Sequence, residues 1–248
     1  MRSSANLQSL LPTLPALGAN EVVVVEVGLE VVDPAPLESI LDEEEHERAA
    51  RFVFPHDRRR YQVTHAALRL LLAHYLDDDP RALRFEHGAH GKPSLSRPPG
   101  GLAFNISHSA ERALLAVARG REVGVDIEVH RANLDIQVLA RRVLSPAEHT
   151  TFAAVPADHL PAAFFRAWAR KESFIKAIGE GLACPLDIFD MSLDAEVENA
   201  LLACRHLSAA AVRWTTVPLD VGPGAAAALT ARGPLRLERR EESLWMFA

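Results

Sequence analysis

The chain has 248 residues, 48% of them hydrophobic and 24% charged, with a net charge of −6 at neutral pH. That length allows one large hydrophobic core or two small ones, and the acidic balance argues against a general nucleic-acid binder. The two cysteines, Cys184 and Cys204, make neither a disulfide framework nor a metal site, which points to a reducing cytoplasm. No apolar run reaches the roughly eighteen residues that a membrane span needs.

Residues 1–20 read as an N-terminal extension: apolar after Arg2, but broken by Pro12 and Pro15, unlike a signal peptide. The β-branched run Val22, Val23, Val24 and Val25 opens the first buried strand, over 21–27. A helix is predicted over 36–51, acidic at Glu43, Glu44, Glu45 and Glu47, then basic at Arg48 and Arg51. A second helix, over 57–76, carries Leu68, Leu71, Leu72 and Tyr75 at helical spacing. Residues 88–101 are rich in Gly and Pro and read as a loop. Strands are predicted over 102–106, 113–118 and 122–129. The stretch 131–152 is largely helical, with Ser145, Pro146 and Glu148 placed as N-cap, first-turn proline and N3 glutamate. A long helix over 161–178 closes on Gly179, and short strands over 212–217 and 225–231 follow. Strands and helices mix without a βαβ rhythm, so the fold class is α+β.

Chemistry concentrates in three places. In the strand Val123-Gly124-Val125-Asp126-Ile127-Glu128-Val129, alternation puts Asp126 and Glu128 on one face. Such a pair is either the solvated polar face of an edge strand or a set of hard oxygen ligands suited to magnesium. In the 161–178 helix, Trp168, Glu172 and Lys176 share a face, each four residues from the next. Glu172 and Lys176 could be a plain intrahelical ion pair. The bulk around them (Phe164, Phe165, Trp168, Ile175) marks a buried helix, where charges are paired or functional. A carboxylate one turn from a lysine is also what a metal-bound pyrophosphate requires. Third, small hydroxyl residues flank His108 at a strand end, an arrangement that can bind an anion.

Four segments in this order resemble the Sfp-type 4′-phosphopantetheinyl transferases. They are Gly91-Lys92-Pro93, Phe104-Asn105-Ile106-Ser107-His108-Ser109, Gly124-Val125-Asp126-Ile127-Glu128, and Trp168-Ala169-Arg170-Lys171-Glu172-Ser173-Phe174-Ile175-Lys176, the last followed by Gly179-Glu180-Gly181-Leu182. The resemblance covers roughly residues 48–189.

It implies two similar α+β halves related by a pseudo-twofold, with the active site in the cleft between them. Residues 21–121 would be the half on the coenzyme A nucleotide side, and 122–248 the half on the metal and pyrophosphate side. Asp126, Glu128 and Glu172 would hold magnesium, with manganese as an alternative ion, and Lys176 the pyrophosphate. Lys92 and Pro93 would lie beside the adenine. Ser107, His108 and Arg48 would contact the 3′-phosphate, assisted by Arg51. Glu148 matches an acidic family position of unassigned role. The family's usual basic residue three positions before Arg48 is Glu45 here, so the phosphate clamp is expected to differ. The implied reaction moves phosphopantetheine from coenzyme A to a serine of an acyl or peptidyl carrier protein. A cytoplasmic monomer without nucleic-acid or membrane partners is expected. Two rival readings are a metal-dependent phosphodiesterase acting on a nucleotide pyrophosphate and a non-catalytic coenzyme A-binding protein.

Overall fold

The computed structural model describes residues 11–30, 35–96, 101–181, 184–197, 199–205, 213–241 and 243–247. Strand β1 (Val22–Gly28) lies inside a five-stranded antiparallel sheet. Its two faces feed different cores, which explains a run of valines instead of polar alternation. Val23, Val25 and Val27 pack under the long helix α3 (Pro55–Leu76) with Leu68, Leu71 and Leu72. Val22 and Val24 meet Val125, Ile127 and Leu229 of a second sheet.

The first sheet has the order β11-β12-β1-β5-β4, with β4 (Leu102–Ser109), β5 (Arg112–Arg119), β11 (Leu237–Glu241) and β12 (Leu244–Phe247). The second, β6-β10-β9, contains β6 (Val123–Val129), β9 (Trp214–Leu219) and β10 (Ala225–Arg232). Each half runs strand, long helix, hairpin: β1, α3, β4 and β5, then β6, α6 (Leu160–Ile178), β9 and β10. In each sheet the first strand pairs with the last of its half, so β1-β5-β4 repeats as β6-β10-β9. The chain is thus α+β, in two halves of one connectivity. The final strand, β12, returns to pair with β1, with Val24 opposite Trp245.

The helix predicted over 36–51 is two helices, α1 (Ala35–Glu38) and α2 (Glu43–Ala50). Asp42 stops continuation because its side chain caps α2, accepting from Glu45 N, while the Glu45 side chain accepts from Asp42 N. The 131–152 stretch is likewise divided, into α4 (Ile136–Val143) and α5 (Pro146–Ala153), by the predicted Ser145 cap. Within the Gly/Pro-rich segment, β3 (Pro93–Leu95) forms a hairpin with β2 (Phe85–His87). The strands predicted over 102–106 and 113–118 extend to Ser109 and Arg112, leaving the turn Ala110-Glu111 with Ala110 in the left-handed region. A small second pair joins β7 (Phe189–Met191) to β8 (Leu201–Cys204). Leu11, Leu14 and Leu17 of the N-terminal extension pack on the first core, and its first ten residues lie outside the described residues. The start of the strand predicted over 212–217 also lies outside them, and β9 begins at Trp214.

Gly124 decides how α6 meets β6. A Cβ there would run into the carbonyl oxygen of Ser173 and the amide nitrogen of Ala177, both backbone atoms of the helix. Only glycine permits this approach, which sets Glu172 and Lys176 over Asp126.

Candidate active site

Asp126 is 3% exposed, so its face of β6 is not a solvated one. The Lys176 ammonium donates to Asp126 Oδ1 at 2.6 Å and to Ser107 Oγ at 2.9 Å, and Ser107 donates to the same Asp126 oxygen at 2.7 Å. Glu172 does not pair with Lys176 as a simple intrahelical couple. Its Oε1, like Asp126 Oδ2, is buried without a hydrogen-bond partner among the described residues. Burial raises the Glu172 carboxyl to about 7, with the charges of Asp126 and Glu128 adding to the rise and Lys176 opposing it. Burial also raises Glu128, again with help from Asp126. For Asp126 burial pushes upward, against Lys176 and Ser107.

Three crowded carboxyls with two orphaned oxygens form the hard donor set that a divalent cation relieves. As the side chains stand, no group of three His, Cys, Asp or Glu residues among those described is arranged to hold an ion. The Lys176 ammonium is the cation bonded to Asp126 instead. The donor chemistry fits a hard cation, which would take over the charge balance that Lys176 now supplies.

This gives a stability signature. Glu172 titrates higher folded than its usual 4.5, so the fold favours the neutral acid. That contribution is full below about pH 4.5 and is lost as pH rises through about 7. With metal chelated, Glu172→Gln should therefore melt close to the native protein at pH 5 and above it at pH 8. A melting difference that stays constant between these pH values would contradict the assignment.

Two cavities share Tyr61 in their walls, and the larger of them reaches the centre at Glu128. One, of about 410 Å³, is walled by His108, Ser109, Glu128 and Arg131 on one side and Phe52, Asp57 and Arg60 on the other. The second, about 110 Å³, is lined by Arg48, His65, Arg84, Phe85 and Pro93. The Arg48 guanidinium sits 5.8 Å from the Tyr61 ring centroid. The His108 imidazole pKa is lowered, first by desolvation and then by the Lys176 charge. Arg51 caps α2, exposed and ion-paired to Glu47, and lines neither cavity.

Lys92 lines, with Pro93, a further cavity of about 650 Å³. Its ammonium donates to the carbonyls of Val123 at 3.0 Å and Ala177 at 3.1 Å, tying the start of β6 to the end of α6. Burial lowers its pKa to about 8. Glu45, where a basic residue was expected, is buried and bonds Arg69 Nε at 2.6 Å and His65 Nδ1 at 3.0 Å. Its carboxylate is an anchor for α2, which leaves Arg48 as the basic residue that α2 contributes to this cavity. Glu148 is also structural. Its Oε2 accepts from Ser145 N at 2.6 Å and pairs with the fully buried Lys171 at 2.9 Å, and its Oε1 accepts from Met191 N at 2.6 Å. Sequence reasoning missed Tyr61, whose only signal was an aromatic on the inner face of a helix beside a basic stretch.

The fold and site together define a two-half α+β protein whose seam carries a carboxylate–lysine centre beside a cavity. A family model described as the 4′-phosphopantetheinyl transferase superfamily matches residues 122–230, and one described as 4′-phosphopantetheinyl transferase, N-terminal, matches residues 35–119. The chain is 38% identical to 4′-phosphopantetheinyl transferase HetI of Nostoc sp. PCC 7120, over 59% of this chain and 63% of that one. It is 31% identical to 4′-phosphopantetheinyl transferase Sfp of Bacillus subtilis, over 62% of this chain and 67% of that one. It is 30% identical to 4′-phosphopantetheinyl transferase psf-1 of Bacillus pumilus, over 80% of this chain and 82% of that one. The chain belongs to the 4′-phosphopantetheinyl transferase superfamily. It spans a little under two thirds of the length of the Nostoc relative.

Proposed function

We propose that the protein transfers the 4′-phosphopantetheine arm of coenzyme A to a serine of an acyl or peptidyl carrier protein, in a magnesium-dependent reaction that releases adenosine 3′,5′-bisphosphate. One observation carries this reading: Asp126, Glu172 and Lys176 gather at the seam of the two halves, beside the cavity that Glu128 and His108 line. Asp126, Glu128 and Glu172 are the residues that would hold the ion. Magnesium there would supply positive charge to the pyrophosphate oxygens.

The chain's own residues do the rest. Lys176 donates to a pyrophosphate oxygen, neutralising charge as the bond from phosphorus to the leaving nucleotide breaks. The serine oxygen attacks the β-phosphorus, and its proton passes to Glu172 or to a water that Glu172 orients. We assign Arg48, Pro93 and His108 to the nucleotide, because they line the paired cavities. In this reading residues 21–121 supply the nucleotide side, and 122–248 the metal and pyrophosphate side. No helix among the described residues is long and apolar enough to cross a membrane. We place the protein in the cytoplasm, in keeping with its two free cysteines, and as a monomer, because one chain supplies both sides of the site.

Incubation with coenzyme A, magnesium and an apo carrier protein tests the reading. Carrier that gains the phosphopantetheine mass is expected. Hydrolysed coenzyme A with unmodified carrier would indicate a phosphodiesterase, and no reaction with retained coenzyme A binding a non-catalytic protein.

A further inference from the structure

Strands β4 and β6 are the edges of their two sheets, and among the described residues neither pairs its free backbone edge with another strand. Exposed edges of this kind invite wrong pairing. Here they face each other, and side chains take the place of backbone bonds. Asn105 Oδ1 accepts from Val125 N at 2.8 Å, Ser107 Oγ from Ile127 N at 3.4 Å, and Ser109 Oγ from Val129 N at 3.0 Å. The offset is 20 residues at every rung, so the two strands run parallel and in register.

Two of the rungs do more. A serine hydroxyl has one proton to give and two lone pairs to accept with. Ser107 gives its proton to Asp126 at 2.7 Å, and Ser109 gives its own to Glu128 at 3.4 Å. Each hydroxyl therefore holds both a backbone N–H and the carboxylate of the residue just before it. The third rung faces Gly124, which has no side chain to orient, and there the residue is an asparagine. The alternation Asn105, Ser107, Ser109 thus matches Gly124, Asp126, Glu128 position by position.

We propose that Ser107 and Ser109 are positioning residues, whose hydroxyls aim Asp126 and Glu128 at the catalytic centre, while Asn105 serves with them only to join the two halves. The inference rests on the reading above in one respect, that these carboxylates hold a divalent ion. Groups that orient metal ligands typically change metal affinity about tenfold to a hundredfold when removed.

The test is manganese binding, read by electron paramagnetic resonance on the whole protein, with and without saturating coenzyme A and with no carrier present. Ser109→Ala is expected to weaken binding about tenfold, and Ser109→Thr, which keeps the hydroxyl, to bind within about threefold of the native protein. Asn105→Ala is expected to lower the melting temperature while binding manganese within about threefold of native. Ser109 is the partly buried rung, so its variants should fold even if Ser107→Ala does not. Native-like affinity in Ser109→Ala overturns the inference and leaves the proposed function standing. Equal losses in Asn105→Ala and Ser109→Ala also overturn it, because the effect would then be general loosening of the seam. A native protein that binds no manganese in either condition overturns the inference together with the metal assignment beneath it.

Discussion

Asp126→Asn and Glu172→Gln are each expected to lower kcat/KM for carrier modification by at least about a hundredfold, with the fold intact. Both substitutions keep side-chain shape and remove a charge that would hold the ion. Loss of one electrostatic contact made chiefly in the transition state typically costs about 3 kcal/mol, which is roughly that factor in rate. The fold should survive because neither carboxylate is the sole partner of a buried cation. Lys176 keeps Ser107 Oγ at 2.9 Å and the Val125 carbonyl at 3.4 Å when Asp126 is neutral. Glu172 has an orphaned oxygen and a raised pKa, so its neutral isostere relieves the native state at pH 8 instead of straining it. Steady-state kinetics with a carrier protein, alongside a melting curve, separates the two effects. Near-native kcat/KM in either variant would return that residue to a merely structural role.

Glu148→Ala should produce the largest loss of stability, about 3–5 kcal/mol by urea denaturation. The substitution strands three groups at once: the Lys171 ammonium and the backbone N–H groups of Ser145 and Met191. Lys171 is fully buried, and although it also donates to the carbonyls of Leu186 at 2.6 Å and Phe189 at 2.9 Å, neither carries a neutralising charge. A domain is stable by about 5–15 kcal/mol in total, so a loss of this size takes a large share of it. Adding Lys171→Met to Glu148→Gln should restore part of the loss, because the pair then no longer leaves a lone buried charge. A single-variant loss under about 1 kcal/mol, or a double variant no more stable than Glu148→Gln, would show that the pair is not what holds α5 to α6.

Features written in neighbouring residues were legible in the sequence, and features made by distant ones were not. The strand at Val123–Val129 and the helix at Leu160–Ile178 follow from local alternation, helical spacing and the Gly179 cap. The proximity of Asp126, Glu172 and Lys176 was an expectation from motif order, and the glycine at 124 is the physical reason these groups stand together. The break at Asp42 was missed because residues 36–51 are helix-favouring on both sides of it. Only the reciprocal bonds with Glu45 and the buried Arg69 make Asp42 a boundary. The return of Leu244–Phe247 to β1 leaves no local trace, since its partners are more than 200 residues away. The sequence places Ser107 beside His108 in an anion-binding arrangement, and it gives no sign that the hydroxyl also donates to Asp126. No periodicity could have given that direction, because it depends on which strand edge lies opposite. Glu148 carried a capping-box signal, and its second task, the pair with Lys171, appears only when α5 and α6 meet.

On the proposed reading, the carboxylates at the seam would act through a bound divalent ion on the pyrophosphate of coenzyme A. The intact mass of an apo carrier protein, measured after incubation with this protein and coenzyme A, tests it most directly. One sample would contain magnesium and the other excess chelator. Carrier fully shifted by the phosphopantetheine mass is expected with magnesium and unshifted carrier with chelator, with transfer returning when magnesium or manganese is added back. Full modification in the presence of excess chelator would contradict that reading.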